Sequence, residues 1–489
     1  MFEQAEKDPS MDEREYERRE LFLRTELLRS QYELLERRDR AVLVVVAGVD
    51  GAGKGSAINL LNEWMDPRHI RTMAFGEPTA DEAQRPAMWR YWNALPALGQ
   101  TGIVFGSWYA PLFKEAARKK PDMERIGAMA AEILRFEAML AGAQVRILKL
   151  WYHLSRPAQI ARIDAQLADP KTAWRVSEAD LEVRRKFDRL RGAGRIVIEA
   201  TDAACAPWRV VPSADARLRA VGTASAVLQA MQGPLSAPPR RPMPSAVRHA
   251  GRPKAALEPA PGAGRLDEGD YEQQLAAWQE RLAERVRSKR FRKRSLVLVF
   301  EGVDAAGKGG AIRRVAHALD VRNFEIVPVS APSDEERAHP YLWRFWRRLP
   351  LHGRVCIFDR SWYGRVLVER VESLIPPAAW RRAYDEINDF EEQLHRGGAV
   401  VLKFWLSISR AEQLRRFKER RESPFKSFKL TPDDWRNRRK WDDYMAVARD
   451  MLARTDTAHA PWIVVADDDK RKARIKVLEH IARAVDDAC

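Results

Sequence analysis

The chain has 489 residues, of which 45% are apolar, and carries 85 Lys and Arg against 69 Asp and Glu, a formal net charge of +16. That length expects roughly two to four domains of about 100–200 residues each, and the charge predicts a polyanionic partner: nucleic acid, anionic membrane or a phosphate polymer. Three widely spaced cysteines exclude a disulfide framework or cysteine metal cluster, and the charged first twenty residues lack the apolar core of a signal peptide. No apolar run approaches the roughly 20 residues that span a bilayer, so the expectation is a soluble, cytoplasmic protein with no membrane partner.

In chain order, Glu13 to Arg38 reads as a charged helix with a leucine stripe. An apolar run then feeds Ala47-Gly-Val-Asp-Gly-Ala-Gly-Lys-Gly55. From Gln232 to Gly264 the composition turns to Pro, Ala and Arg, which cannot bury a core and reads as a semi-extended linker. A second leucine-striped helix covers Tyr271 to Arg290, and a strand over Leu296–Phe300 leads into Glu301-Gly-Val-Asp-Ala-Ala-Gly-Lys-Gly309. Beyond it, helix and strand alternate. Helices are expected over Ala311–Leu319, Glu335–Arg348, Ala378–Arg396, Arg410–Arg421 and Trp435–Arg454, with one more closing the chain. Strands are expected at Phe324–Val329, Val355–Phe358, Val400–Leu406 and Ile463–Val465. Trp343 and Trp346, three apart on one helix, read as core. Buried apolar strands alternating with helices imply a parallel sheet covered by helices on both faces.

The two glycine-rich stretches are a repeat at an offset of 254 residues. The same offset pairs Trp89 with Trp343, Ser107-Trp-Tyr109 with Ser361-Trp-Tyr363, Phe136-Glu137 with Phe390-Glu391, and Pro207-Trp208 with Pro461-Trp462. The chain is therefore two copies of one domain. The first covers residues 1–231, the linker 232–264 and the second copy 265–489.

A strand, a glycine-rich turn and a helix start form a phosphate cradle, because backbone N–H groups and the positive helix end face an anion. In the second copy Ala305, Ala306, Gly307, Gly309 and Gly310 would line it, and Lys308 adds a point charge. Gly309 stands where the Walker pattern wants a metal-binding Ser or Thr. The metal must then be held elsewhere, and Asp304 is the nearest candidate. Strand Val355–Phe358 ends in Asp359-Arg360-Ser361-Trp-Tyr-Gly-Arg365. Asp359 is placed to share Mg²⁺ with Asp304, and Arg360 and Arg365 to neutralise charge on a transferred group.

Residues 413–440 hold eleven Lys and Arg against four Asp and Glu. Arg416 and Arg420, four apart, share a helix face and could reach one anion. Pro424 breaks the helix, and Lys426 and Lys429 follow, so the stretch reads as a lid over phosphates. The matching window in the first copy, 159–186, has six bases against five acids. There too Phe105-Gly106 replaces Asp359-Arg360 and Ala47 replaces Glu301. The strand-end acid, the arginine after it and most of the lid charge are lost together, as expected if these three features form one site that works as a unit. The second copy is the expected catalyst.

Glu301 to Gly310, Phe358-Asp-Arg-Ser-Trp-Tyr-Gly-Arg365, Arg416-Phe-Lys-Glu-Arg420 with Pro424, Lys426 and Lys429, and Trp441-Asp-Asp-Tyr444 together resemble the polyphosphate kinase 2 family, in its fused two-domain branch. The resemblance implies an α/β fold of tandem P-loop kinase-like domains, each with a helical lid. It implies transfer of phosphate from inorganic polyphosphate to AMP, with Mg²⁺ or Mn²⁺ held by Asp304 and Asp359; a polyphosphate-dependent ADP-to-ATP kinase and an ATP-dependent nucleoside monophosphate kinase are the alternative readings. It also implies phosphate binding by the loop, Arg416, Arg420, Lys426 and Lys429, and assigns Asp359, Lys308, Arg360 and Asp304 to catalysis and Arg365 and Glu369 to the nucleotide. A nucleic-acid partner becomes the weaker expectation, and a homo-oligomer is compatible with the pattern.

Overall fold

The computed structural model describes all residues except 172, 176–177, 235–255, 261–263 and 425–426; side chains of 175, 178–185 and 429 are also not described. Most of the linker and Lys426 thus lie outside the described residues, as does the side chain of Lys429.

Each copy folds around a five-stranded, all-parallel sheet. The first contains β1 (Ala41–Gly48), β2 (Ile70–Ala74), β3 (Thr101–Phe105), β4 (Val145–His153) and β5 (Trp208–Pro212) in the order β2-β3-β1-β4-β5. The second contains β6 (Ser295–Gly302), β7 (Phe324–Pro328), β8 (Val355–Asp359), β9 (Ala399–Ser407) and β10 (Trp462–Ala466) in the order β7-β8-β6-β9-β10. The two orders are the same, and so is the pairing: Val46 opposes Phe105 as Phe300 opposes Asp359. The central strands β1 and β6 are buried along nearly their whole length, which is why they read as unbroken apolar runs rather than as alternating ones. Helices flank the sheets. In the second copy the core gathers Leu296, Leu298 and Phe300 of β6, Phe404 and Leu406 of β9, and Val477, Leu478 and Ile481 of the last helix.

By compactness the chain divides into one unit of Met1–Glu77, Tyr91–Met243 and Ser333–Tyr341, and another of Pro78–Arg90, Pro244–Pro332 and Leu342–Cys489. Among the described residues no helix is long and apolar enough to cross a membrane.

Two expected helices are broken. Glu335–Arg348 is two single turns, Asp334–Arg337 and Trp343–Trp346. Pro340 explains the gap, because it lacks an N–H and disfavours helical backbone in the residue before it. Trp343 and Trp346 are nevertheless buried, as core residues should be. Trp435–Arg454 is likewise two helices, Pro432–Arg439 and Trp441–Thr455, that meet at Lys440.

Candidate active site

In doubly wound sheets ligands sit beyond the carboxyl ends of the strands, where the strand order reverses. Here that is the gap between the ends of β6 and β8. Gly302 closes β6 at φ +136°, and a Cβ there would lie 1.9 Å from the Leu406 carbonyl oxygen, so only glycine fits. The loop turns through Gly307 at φ +111° into the helix Lys308–His317. The backbone amides of Ala305, Gly307, Lys308 and Gly309 have no acceptor among the described residues. Several unpaired donors at one helix start form a nest for an anion.

Lys308 Nζ donates to the carbonyls of Gly302 (2.8 Å) and Val303 (3.2 Å). Its ammonium pKa is lowered, first by burial and then by the Arg360 guanidinium, while Asp304, Asp359 and Glu301 pull it back up. Three acidic side chains and an arginine therefore converge on the lysine. Asp304 Oδ1 accepts from Arg360 Nη2 at 3.1 Å and its Oδ2 from Asn437 Nδ2 at 2.8 Å. Its backbone carbonyl accepts from Gln413 Nε2 at 3.1 Å. Asp359, last residue of β8, has no side-chain hydrogen bond or ion pair among the described residues, and its backbone carbonyl accepts from Val329 N. A carboxylate left uncommitted beside a lysine and a second carboxylate suits a hard cation. Mg²⁺ is commonly held by one or two carboxylates together with substrate phosphates and water. Asp304 and Asp359 offer that donor set; no larger group of three or more His, Cys, Asp or Glu that could hold a metal ion is found among the described residues.

Arg360 stands at φ +84°, a left-handed backbone that a side chain other than glycine adopts only at a cost. It is half-exposed at the site mouth. Glu301, buried at the end of β6, was absent from the candidate residues read from the sequence. Its Oε1 accepts from Ser361 Oγ at 2.8 Å, which ties the ends of β6 and β8 together. Burial pushes its carboxyl up to about 7, against the opposing pull of Ser361, Lys308 and Arg360.

Asn437 was also missed. It sits on the helix Pro432–Arg439, and Tyr444 Oη donates to its Oδ1 at 3.3 Å. The repeat holds the signal for both, since Ala47 stands at the place of Glu301 and Val183 at that of Asn437.

Arg416 and Arg420 do not share one anion-facing edge. Arg416 is on the buried side of the helix Arg410–Glu422, with Gln413 and Phe417. Its Nε donates to Glu412, its Nη1 to the carbonyls of Ala305 (2.9 Å) and Ala306 (3.1 Å), and its Nη2 to the carbonyl of Asp468 (2.7 Å). It holds the loop from the carbonyl side, opposite the amide nest. Arg420 is partly buried. Arg365 and Glu369 pair with each other at 2.7 Å.

In the first copy the loop keeps its shape but closes on itself. Lys54 Nζ reaches Gly48 and Val49 carbonyls and also Asp50 Oδ1 at 2.9 Å. With Gly106 at the place of Arg360, Asp50 has no arginine there to turn to, and the lysine takes it.

The sequence profile described as Polyphosphate kinase 2 matches residues 10–237 and again 265–489. The chain is 45% identical to the polyphosphate:AMP phosphotransferase of Pseudomonas aeruginosa over 100% of its own length and 99% of that protein. It is 37% identical to the polyphosphate:AMP phosphotransferase of Acinetobacter johnsonii, over 94% of this chain and 95% of the relative. A crystal structure from Pseudomonas aeruginosa, titled as a polyphosphate kinase 2, superposes with a TM-score of 0.88 at 44% identity, covering 100% of this chain and 99% of that one.

Proposed function

This chain belongs to the polyphosphate kinase 2 family, and from that membership we propose that it moves the terminal phosphate of inorganic polyphosphate to AMP, giving ADP, at the site of its second copy. The observation that carries the reading is the full-length likeness to polyphosphate:AMP phosphotransferases, joined to the asymmetry of the copies. Asp359, Arg360, Glu301 and Asn437 surround the loop in one copy and are absent from the sequence of the other.

The chemistry asks little proton transfer of the protein. The acceptor is a phosphate oxygen of AMP, and a phosphate monoester has its second pKa at about 6, so it is mostly ionised at neutral pH. The task is to bring two polyanions into line and absorb their mutual repulsion. The amides of Ala305, Gly307, Lys308 and Gly309, with the Lys308 ammonium, hold the donor phosphates. Asp304 and Asp359 would hold Mg²⁺ or Mn²⁺, which would supply positive charge to the reacting phosphates. Arg360, swung between Asp304 and the open mouth, meets the charge on the group in flight. Arg416 fixes the loop from behind. Of the lid charges, Arg420 is the one whose side chain is described, and it is assigned to the polymer, while the Arg365–Glu369 pair is assigned to the nucleotide. Inorganic polyphosphate and an adenine nucleotide are the partners of this reading, and the cytoplasm its compartment.

The test is an assay of purified protein with Mg²⁺, polyphosphate and AMP, followed for ADP, beside Lys308→Ala and Lys54→Ala. ADP formation that Lys308→Ala abolishes and Lys54→Ala spares is the expected result. ADP formed from ATP but not from polyphosphate would sink the donor assignment, and equal loss in both variants would sink the assignment of catalysis to the second copy.

A further inference from the structure

The first copy carries a cation cluster that the second lacks. Around Arg416 in the second copy acids sit among the bases. Glu412 accepts from Arg416, Asp468 lies within its electrostatic reach, and Arg415 and Lys470 are the neighbouring bases. At the repeat offset Arg416 reads Arg162, the acids read Ala158 and Ala214, the two neighbouring bases read Ala161 and Ala216, and Ala473 is replaced by Arg219. Both acids and both neighbouring bases are missing, and a second arginine stands in the group.

The structure shows what this does. Arg162 lies on the helix Arg156–Ala168 and Arg219 on Ala216–Gln232. A Cβ built on Gly53 would lie 2.6 Å from Arg162 Nη2 and 2.9 Å from both Arg162 Nη1 and Arg219 Cζ, so the two guanidinium groups pack side by side against the glycine-rich loop. Arg219 is 5% exposed. Both donate to the same acceptor, the Ser213 carbonyl, at 2.7 Å from Arg219 and 3.4 Å from Arg162. Neither forms an ion pair among the described residues. Burial lowers the pKa of Arg162, with no acid acting on it. Burial and then the charge of Arg162 bring Arg219 down to about 10. The carboxylate that reaches Arg219 is Asp215, which already caps its own helix by accepting from Leu218 N. Two like charges packed together, one of them buried, with no ion pair of their own are costly. The arrangement becomes favourable when an anion supplies the missing charge, and guanidinium is the group best shaped to take phosphate oxygens.

We propose that Arg162 and Arg219 form an oxyanion site in the first copy, taking a phosphate group beside the loop, separate from the Lys54 cradle that Asp50 already neutralises. The shared chemistry is a phosphate group, supplied either by a polyphosphate chain or by free orthophosphate.

The test measures binding and does not depend on turnover, so its failure is distinct from failure of the phosphotransfer reading. Full-length Lys308→Ala protein is titrated by equilibrium dialysis with orthophosphate and, separately, with tripolyphosphate. The same is done with Arg219→Ala and with Ala158→Glu added. The first restores the alanine of the second copy, and the second restores the carboxylate that Arg416 enjoys. Each added substitution is expected to weaken binding about tenfold or more, the loss of one charge-assisted bond to a phosphate. Binding of tripolyphosphate alone assigns the site to the polymer, and equal binding of both assigns it to any phosphate group. Unchanged binding in both added variants overturns the proposal, as does the absence of any binding that either removes.

Discussion

At the end of β3 the chain reads Phe105-Gly106, and at the end of β8 it reads Asp359-Arg360; both turns carry a left-handed residue, at φ +60° and +84°. The backbone therefore makes the same turn twice, once with the residue that takes it freely and once with an arginine that does not. In the first copy a Cβ on Gly106 would lie 2.1 Å from the Phe75 carbonyl oxygen, so the turn has closed around glycine. The scaffold behind both turns is unchanged. Lys149 donates to Tyr109 Oη, Glu137 and the Thr201 carbonyl, and Lys403 to Tyr363 Oη, Glu391 and the Thr455 carbonyl, all within 2.6–2.9 Å. What the copies share is the scaffold, and what they do not share is the set of charged side chains around the loop.

The most direct way to break this comparison is Arg360→Gly, which gives the second copy the turn of the first. Loss of an arginine that meets charge on a transferring phosphoryl group is worth about 10³-fold or more in kcat. Relief of left-handed backbone, about 1 kcal/mol, is offset by the entropy that glycine loses on folding, about 0.5–1 kcal/mol. A large loss of ADP formation with little change in the urea midpoint of the second unit is expected. A variant that kept near-normal turnover would show that Arg360 is not held for the reaction.

Next in size are the buried pairs. Lys149 and Lys403 are both fully buried, and burial lowers their pKa while the paired glutamate opposes it. Lys149→Met and Lys403→Met each leave a buried carboxyl without its partner, so each should cost about 3–5 kcal/mol in its own unit. Chemical denaturation read unit by unit checks this. Similar losses confirm a common scaffold, and a much smaller loss in the first copy would mean that its core, too, has drifted.

The pattern of apolar strands made the sheet, its helices and the repeat legible in the sequence, because parallel strands buried on both faces leave long apolar runs. Asp359 was legible because an acid at the end of such a run has few structural reasons to be there. Arg416 was misplaced because a helix-face argument counts positions and not which side the core takes; its neighbour Phe417 was the clue. Asn437 was not legible from its own surroundings. It reaches Asp304 from a helix more than a hundred residues away, and only the subtraction of one copy from the other exposes it.

Glu301 sharpens the comparison through pH. Burial raises its carboxyl from 4.5 to about 7. The folded protein keeps that proton up to about pH 7, whereas the unfolded chain releases it near 4.5. Stability is therefore greatest below 4.5 and declines as pH rises to 7, by about 3 kcal/mol at 1.36 kcal/mol per pH unit. Glu301→Gln keeps the carbonyl that accepts from Ser361 and removes the titration. It should flatten the stability of the second unit between pH 4.5 and 7. A decline that persists in Glu301→Gln would place the titrating group elsewhere.

The smallest expected effect serves as the control on the largest. Ala305 also holds a left-handed backbone, at φ +62°, where the first copy has Gly51 at +77°. Its carbonyl accepts from Arg416, and its side chain is one buried methyl group. Ala305→Gly thus repeats the backbone exchange of Arg360→Gly without removing a charge. Relief of left-handed strain, about 1 kcal/mol, is offset by the entropy that glycine loses on folding, about 0.5–1 kcal/mol, so stability should hardly move. Turnover should stay within a few-fold of the parent. If Ala305→Gly instead loses as much activity as Arg360→Gly, the loss at both positions comes from a loosened backbone, and the guanidinium of Arg360 has no special part in the reaction. If only Arg360→Gly fails, the second copy bears a strained turn for the sake of one charge, which the first copy gave up when it took glycine.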